Sequence, residues 1–333
     1  MQVSVVIPVY NAAPFVTQAV ESALQQPETG EVILIEDGSP DNALEVCRLL
    51  EARYDKVHLF RHPDGRNHGA GASRNLGMQK SSCEFIAFLD ADDYYLPGRF
   101  SAAKAILASD SDCDGVYEAV GHHVQGEDGL RRWAEAGKVL PELTTMSERV
   151  RPEDLWRALM DSGRFGYFHL DGLVLRRSVL RVSGHMAEGL RLHQDTEFML
   201  RVAVVARLQP GRLEEPVARV RVHGQNRISA SRTAEQKHRD RMLMWMELYR
   251  WCRKRRLGEV QMRIMHRMVK ATTSTARYGN DTTGTIARRA RRLQQLIAWF
   301  LRYPRMMIEP QLWLVMNDHF RAIARKAKEA QTT

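Results

Sequence analysis

The chain has 333 residues, 44% of them hydrophobic and 27% charged, which allows a sizeable core and excludes a disordered or low-complexity chain. Its net charge of +9 is unevenly placed: residues 232–333 hold 23 Lys and Arg against 8 Asp and Glu, while residues 1–231 hold 26 against 32. No stretch approaches the roughly 18–20 apolar residues of a membrane span, no basic-then-apolar leader opens the sequence, and the four scattered cysteines form no CxxC pair, so a cytoplasmic protein, at most peripheral to the inner face of a membrane, is expected.

In chain order, residues 3–9 form an apolar run that reads as a buried strand, 13–24 as a helix, 31–36 as a strand and 43–52 as a helix. Residues 57–61, the glycine-rich segment 69–77 and residues 84–89 continue the same rhythm. This alternation predicts an α/β domain with a Rossmann-like sheet of parallel strands covered by helices. Ligands of such sheets lie beyond the carboxyl ends of the strands, so Tyr10-Asn11, Glu36 to Ser39 and Asp90 to Asp93 are expected to line one crevice. Further on, 101–107 reads as a helix, 115–124 as strands, 126–129 as a turn and 152–160 as a helix. The polar cluster His193-Gln194-Asp195-Thr196-Glu197 opens a helix through 206, and 217–222 reads as a strand ending at His223. In the tail, Met242, Trp245, Met246, Tyr249 and Cys252 recur at helical spacing, as do Leu293, Leu296, Ile297 and Phe300. The predicted organisation is a domain over 1–231 followed by a helical, basic region over 232–333, whose Met and Trp faces are expected to be exposed and available to a second copy.

Chemistry concentrates at Phe88-Leu89-Asp90-Ala91-Asp92-Asp93. Carboxylates leaving a buried strand together repel one another unless a cation sits among them, and oxygen ligands favour Mg2+ or Mn2+. Such an ion can neutralise a departing diphosphate. Taken alone, the cluster equally reads as an acidic turn capping the next helix.

It is not alone. Ser4-Val5-Val6-Ile7-Pro8-Val9-Tyr10-Asn11, Ile35-Glu36-Asp37-Gly38-Ser39-Pro40-Asp41, Gly69-Ala70-Gly71-Ala72-Ser73-Arg74-Asn75-Leu76-Gly77 and Phe88 to Asp93 follow one another in the order and spacing of family 2 glycosyltransferases, which the first 230 or so residues resemble. The resemblance implies a GT-A fold with a mixed sheet flanked by helices, a nucleotide-diphosphate sugar donor, UDP-linked by expectation, and an inverting mechanism. By position, Pro8, Tyr10 and Asn11 match the nucleobase loop and Asp37 the carboxylate that reads the base edge. Glu36 stands where the family commonly has aspartate. Arg74 and Asn75 match residues near the nucleotide, with a structural ion pair as the alternative for Arg74. Asp90 and Ala91 fall at the ribose and Asp92 at the metal. Asp195 matches the general base, preceded by Gln194 where family members usually carry glutamate; helix capping is its alternative. His223 resembles a late histidine that approaches the metal or diphosphate, with an ordinary loop residue as the alternative. His169 and Asp171 lie where acceptor-side residues occur.

The expected partners are a nucleotide-sugar donor and a glycan or glycolipid acceptor of bacterial surface-glycan synthesis. The basic tail suits an anionic membrane surface, packing, or self-association. Nucleic acid is not expected, since no zinc-finger or RNA-recognition signature accompanies the basic residues and the N-terminal domain is acidic. A catalytically inactive transferase-like binding protein and a sugar nucleotidyltransferase remain as rival readings. The latter normally brings a basic, Gly-rich phosphate loop, which Pro8-Val9-Tyr10-Asn11 is not.

Overall fold

The computed structural model describes residues 1–135, 143–223 and 234–273, with positions 294, 297, 301, 313, 316 and 317 beyond them. The expected apolar recurrence at Leu293, Leu296 and Phe300, and the segment after His223, lie outside the described residues. Two compact units divide the chain, Met1–Ser231 and Arg232–Thr333.

The first unit opens with β1 (Val3–Val9), α1 (Val16–Leu24), β2 (Thr29–Glu36), α2 (Ala43–Arg53), β3 (Val57–Arg61), α3 (Ala70–Lys80) and β4 (Phe85–Phe88). β5 (Tyr94–Tyr95), α4 (Ser101–Ser109), β6 (Gly115–Tyr117), β7 (Val120–Val124), α5 (Gly126–Glu135) and β8 (Leu143–Thr144) follow. The unit closes with α6 (Leu155–Met160), α7 (Ser162–Phe165), β9 (Leu173–Arg176), α8 (Leu180–Ser183), α9 (Gln194–Val205), β10 (Leu208–Pro210) and β11 (Ala218–Val222).

Seven strands form the main sheet in the order β10-β6-β9-β4-β1-β2-β3, and β5-β11-β7-β8 form a second. The expectation of parallel strands holds for β3, β2, β1 and β4, but β9 enters antiparallel between β4 and β6, which makes the sheet mixed. Strand alternation divides β1 between two layers. Val3, Val5, Ile7 and Val9 join the core cluster with Val16, Val20 and Ala23 of α1 and Cys47 and Leu50 of α2. Val6 faces α3, so closely that a Cβ on Gly77 would come within 2.3 Å of its Cγ1.

The glycine-rich segment 69–77 is helical from its second residue: Gly69 supplies a φ of 90° that an L side chain rarely adopts, and α3 starts at Ala70. Two local expectations are corrected. The expected turn at 126–129 is the first turn of α5, with the positive φ confined to Gly126. In the second unit, α10 (Ala234–Lys254) and α11 (Gly258–Thr273) pack together. Met242, Trp245, Met246, Tyr249 and Cys252, expected to present an exposed face, are buried. No helix among the described residues is long and apolar enough to cross a membrane.

Candidate active site

The carboxyl ends of β1 and β2 supply adjoining loops. Pro8 is half-buried in β1, Tyr10 beyond it is 42% exposed, and Asn11 turns the chain with a φ of 53° while its N–H donates to Ser39 Oγ at 3.2 Å. Glu36, the last residue of β2, is buried with both oxygens engaged: Oε1 accepts from Ser39 N at 2.6 Å and Oε2 from Arg61 Nε of β3 at 2.7 Å. Asp37, also buried, accepts at Oδ1 from His68 N at 2.8 Å, and at Oδ2 from Gly69 N at 2.8 Å and Asn67 Nδ2 at 3.0 Å. Asp37 therefore fastens the 67–69 segment that launches α3, with one Oδ1 acceptor direction left beyond these three bonds. Glu36, expected at the nucleotide, instead braces its loop from below.

On α3, successive side chains diverge by about 100°, and Arg74 and Asn75 go to different places. Asn75 is buried against a segment 111 residues away, accepting from Met186 N at 2.8 Å and donating to Met186 O and Glu188 Oε1, both at 2.9 Å. Those bonds use its amide on both sides, so the expected nucleotide contact gives way to a tether. Arg74 is buried too and pairs with Asp90. Burial disfavours its charge, but Asp90, Asp195 and Asp171 together more than offset that and raise its pKa. One guanidinium thus gathers three carboxylates from the end of β4, the start of α9 and the turn before β9.

Asp90, Asp92 and Asp93 hold carboxylate oxygens all within 4.8 Å of one another, the one such group of three among the described residues. Ala91 between them is buried in the core cluster, which fixes the turn from beneath. His223, just past β11, brings Nε2 to 3.1 Å from Asp92 Oδ2 and stacks its ring 4.6 Å from Phe15. The structure thus joins the two residues expected at the metal, 131 positions apart. The part-exposed Asp90 and Asp92 carboxylates, with the His223 imidazole against Asp92, make a donor set that fits Mn2+ or Mg2+.

Asp195 lies at the second position of α9, partly buried, with Oδ1 accepting from Thr196 N at 2.7 Å. His193 stands at the N-cap in left-handed conformation without a side-chain bond, and Asp195 Oδ1 itself takes up one first-turn N–H. Gln194 donates to Leu190 O and packs on α3, its Cγ 3.2 Å from where a Gly71 Cβ would stand. Behind it, Glu197 and Arg201 form a buried pair at 2.7 Å, and Arg201 holds the carbonyls of Ser183 and His185. The N-terminus of α9 is thereby fixed against α3.

Asp171, expected on the acceptor side, is 0% exposed and lies close to Asp93, and its carboxylate oxygens have no hydrogen-bond partner among the described residues. Burial first, then repulsion from Asp171, Asp92 and Asp90, raises the pKa of the Asp93 carboxyl well above its ordinary value. Asp171 itself is pushed up to about 6 by burial, against the pull of His169. His169 is part-exposed and accepts from Asp171 N at 3.2 Å through Nδ1, which leaves Nε2 carrying the proton.

Arg221 was missed in the sequence, although its signal was there: an arginine inside an otherwise strand-like run. It is buried, and its Nε donates to Asp92 O at 2.8 Å while its N–H donates to Asp93 Oδ1 at 2.7 Å. Arg99 was missed as well. Fully buried, it bonds Glu118 Oε2 at 2.9 Å and Asp171 O at 3.1 Å, supporting the turn that carries Asp171.

Comparison with known proteins agrees with this geometry. The family described as Glycosyl transferase family 2 matches residues 4–169. An uncharacterized glycosyltransferase of Nostoc sp., alr2836, is 30% identical over 243 residues, covering 71% of this chain and 70% of that protein. Among solved structures, S. aureus TarS 1-349 in complex with UDP-GlcNAc aligns over 81% of each chain with a TM-score of 0.57 at 17% identity. The mannosyltransferase PcManGT from Pyrobaculum calidifontis, in complex with GDP-Man and Mn2+, aligns over 95% of this chain and 85% of its own with a TM-score of 0.50 at 15% identity. A mixed sheet flanked by helices, an acidic turn at the end of its fourth strand and these matches together place the chain in glycosyltransferase family 2, with the GT-A fold and glycosyltransferase activity.

Proposed function

We propose that this glycosyltransferase moves a sugar from a nucleotide-diphosphate donor, UDP-linked, to a hydroxyl of a glycan or glycolipid acceptor with inversion at the anomeric carbon. The observation that carries the reading is the acidic turn closing β4, where carboxylate oxygens of Asp90, Asp92 and Asp93 lie within 4.8 Å of one another, with Arg74 paired to Asp90 and His223 Nε2 3.1 Å from Asp92 Oδ2. The sugar-nucleotide complexes of TarS and PcManGT, on the same fold, support a donor of this class.

Tyr10 and Asn11 line the base, and Asp37 offers its remaining Oδ1 lone pair to a base N–H while its other bonds hold the loop. Asp90, steadied by Arg74, faces the ribose. Asp92 and His223, with Asp90 beside them, would hold a divalent cation, Mn2+ or Mg2+, which would supply positive charge to offset that of the diphosphate. Asp195 takes the proton of the acceptor hydroxyl as that oxygen forms its bond to the anomeric carbon, and the bond to the diphosphate oxygen breaks on the opposite side. One attack at one face inverts the centre. His169 sits beside the acceptor, and the basic second unit meets an anionic surface that presents it.

The test is nucleoside diphosphate release from a panel of sugar nucleotides with Mn2+ or Mg2+, on wild type, Asp92→Ala and Asp195→Asn. The expected result is turnover of one donor, lost in both variants, with donor binding surviving in Asp195→Asn. Unchanged turnover in Asp195→Asn removes it as the base, and a product of retained anomeric configuration by NMR overturns the inverting reading.

A further inference from the structure

Arg221 is enclosed yet touches four parts of the site. Its Nε donates to Asp92 O, its NH1 group to Gln125 Oε1 at 2.8 Å and its NH2 group to Gln18 Oε1 at 2.6 Å. Its backbone N–H holds Asp93 Oδ1 at 2.7 Å, and its guanidinium lies over the Phe15 ring at 5.0 Å and the Tyr94 ring at 5.4 Å. Buried in this way, the guanidinium is turned inward to the protein rather than out to a donor phosphate. Two residues on along the same strand edge stands His223, its Nε2 against Asp92 Oδ2.

These contacts leave the acidic turn gripped from β11 at three atoms, the Asp92 carbonyl, the Asp92 carboxylate and the Asp93 carboxylate. We propose that Arg221 is a positioning residue for the cation site, holding the Asp92 backbone so that its carboxylate and the His223 imidazole meet at one point. The planar fork matters here more than the charge, because Gln18 and Gln125 fix its plane from α1 and from the end of β7. Lysine keeps the charge and can reach one of these oxygens, but it cannot hold three in a plane. Partners that orient a metal ligand in this way typically govern affinity by about 10–100-fold.

The inference rests on the cation reading above, and the measurement keeps the two apart. Mn2+ binding to the full chain is titrated by electron paramagnetic resonance on wild type, Arg221→Met and Arg221→Lys, with folding followed by circular dichroism and Tm. The expected result is Mn2+ affinity weaker by about tenfold or more in Arg221→Met and by a smaller factor in Arg221→Lys. Wild-type affinity in a folded Arg221→Met overturns the proposal. So does full recovery in Arg221→Lys, which would reduce Arg221 to a counter-charge. If Arg221→Met does not fold, the double variant Gln18→Ala/Gln125→Ala takes its place, with weakened binding supporting the proposal and wild-type affinity overturning it. A wild-type chain that binds no Mn2+ overturns the cation reading and this one together.

Discussion

Asp195 and Asp171 both interact with Arg74, yet their surroundings give them different work. Asp195 is partly open at the head of α9, and Asp195→Asn should lower kcat by about 10²–10⁴-fold, the range for losing a positioned base, with little change in donor KM. Asp171 is enclosed, and its folded pKa of about 6 stands above the ordinary 3.8. A raised carboxyl favours the folded state while protonated, so this contribution is present below about pH 4 and lost as pH rises through about 6. Asp171→Asn, neutral throughout, should therefore gain Tm relative to wild type as pH is raised from 4 to 7; a difference independent of pH would refute the buried pair. What the sequence did not carry at Glu36, Asn75 and Asp171 is which parts of the protein their side chains touch. A motif records spacing along the chain, while Asn75 is turned away from Arg74 by one helical step and Asp171 is drawn inward by a tight turn that Arg99 supports.

Among the elements, β1, β2 and β4 were legible because each carries an apolar run closed by polar residues, the mark of a strand covered on both faces. β9 was not: four residues are too few for a period, and only pairing with β4 and β6 reveals it as a central strand. In α3 the glycine-rich composition left the helix unmarked, because Gly71 and Gly77 act by being small, against Gln194 and Val6. Gly77→Ala should cost about 1–3 kcal/mol, the usual penalty of overpacking, read from urea unfolding, and should weaken donor binding because α3 carries Arg74. Arg201→Ala should be costlier, about 3–5 kcal/mol, because it leaves Glu197 buried without its counter-charge. Together these variants ask whether the two helices that frame Arg74 are held by fit or by charge.

For the molecule as a whole, charge divides as the chain does. The excess of 23 Lys and Arg over 8 Asp and Glu follows residue 231, where the second unit begins. Most apolar side chains of α10 are buried, Leu243 at 38% exposed apart, so attraction of that helix to an anionic membrane surface would be carried by its basic residues. Flotation with anionic vesicles should accordingly be strong at low salt and fall away as ionic strength rises; binding to neutral vesicles alone, or to none at low salt, would count against a membrane role. The charge split was readable from composition, whereas the burial of the α10 face required packing that no periodicity reports.

The grip of β11 on the acidic turn also orders events in time. Asp92 is made 131 residues before His223, and at ribosomal rates of about 5–20 residues per second that interval is roughly 7–26 s. β1 to β4 can form their parallel core while the acidic loop still lacks Arg221 and His223. The last strand to emerge in the first unit is the one that completes the site, so an unfinished chain carries the sheet without the finished turn. Competence arrives at the end of synthesis of that unit, not with its core.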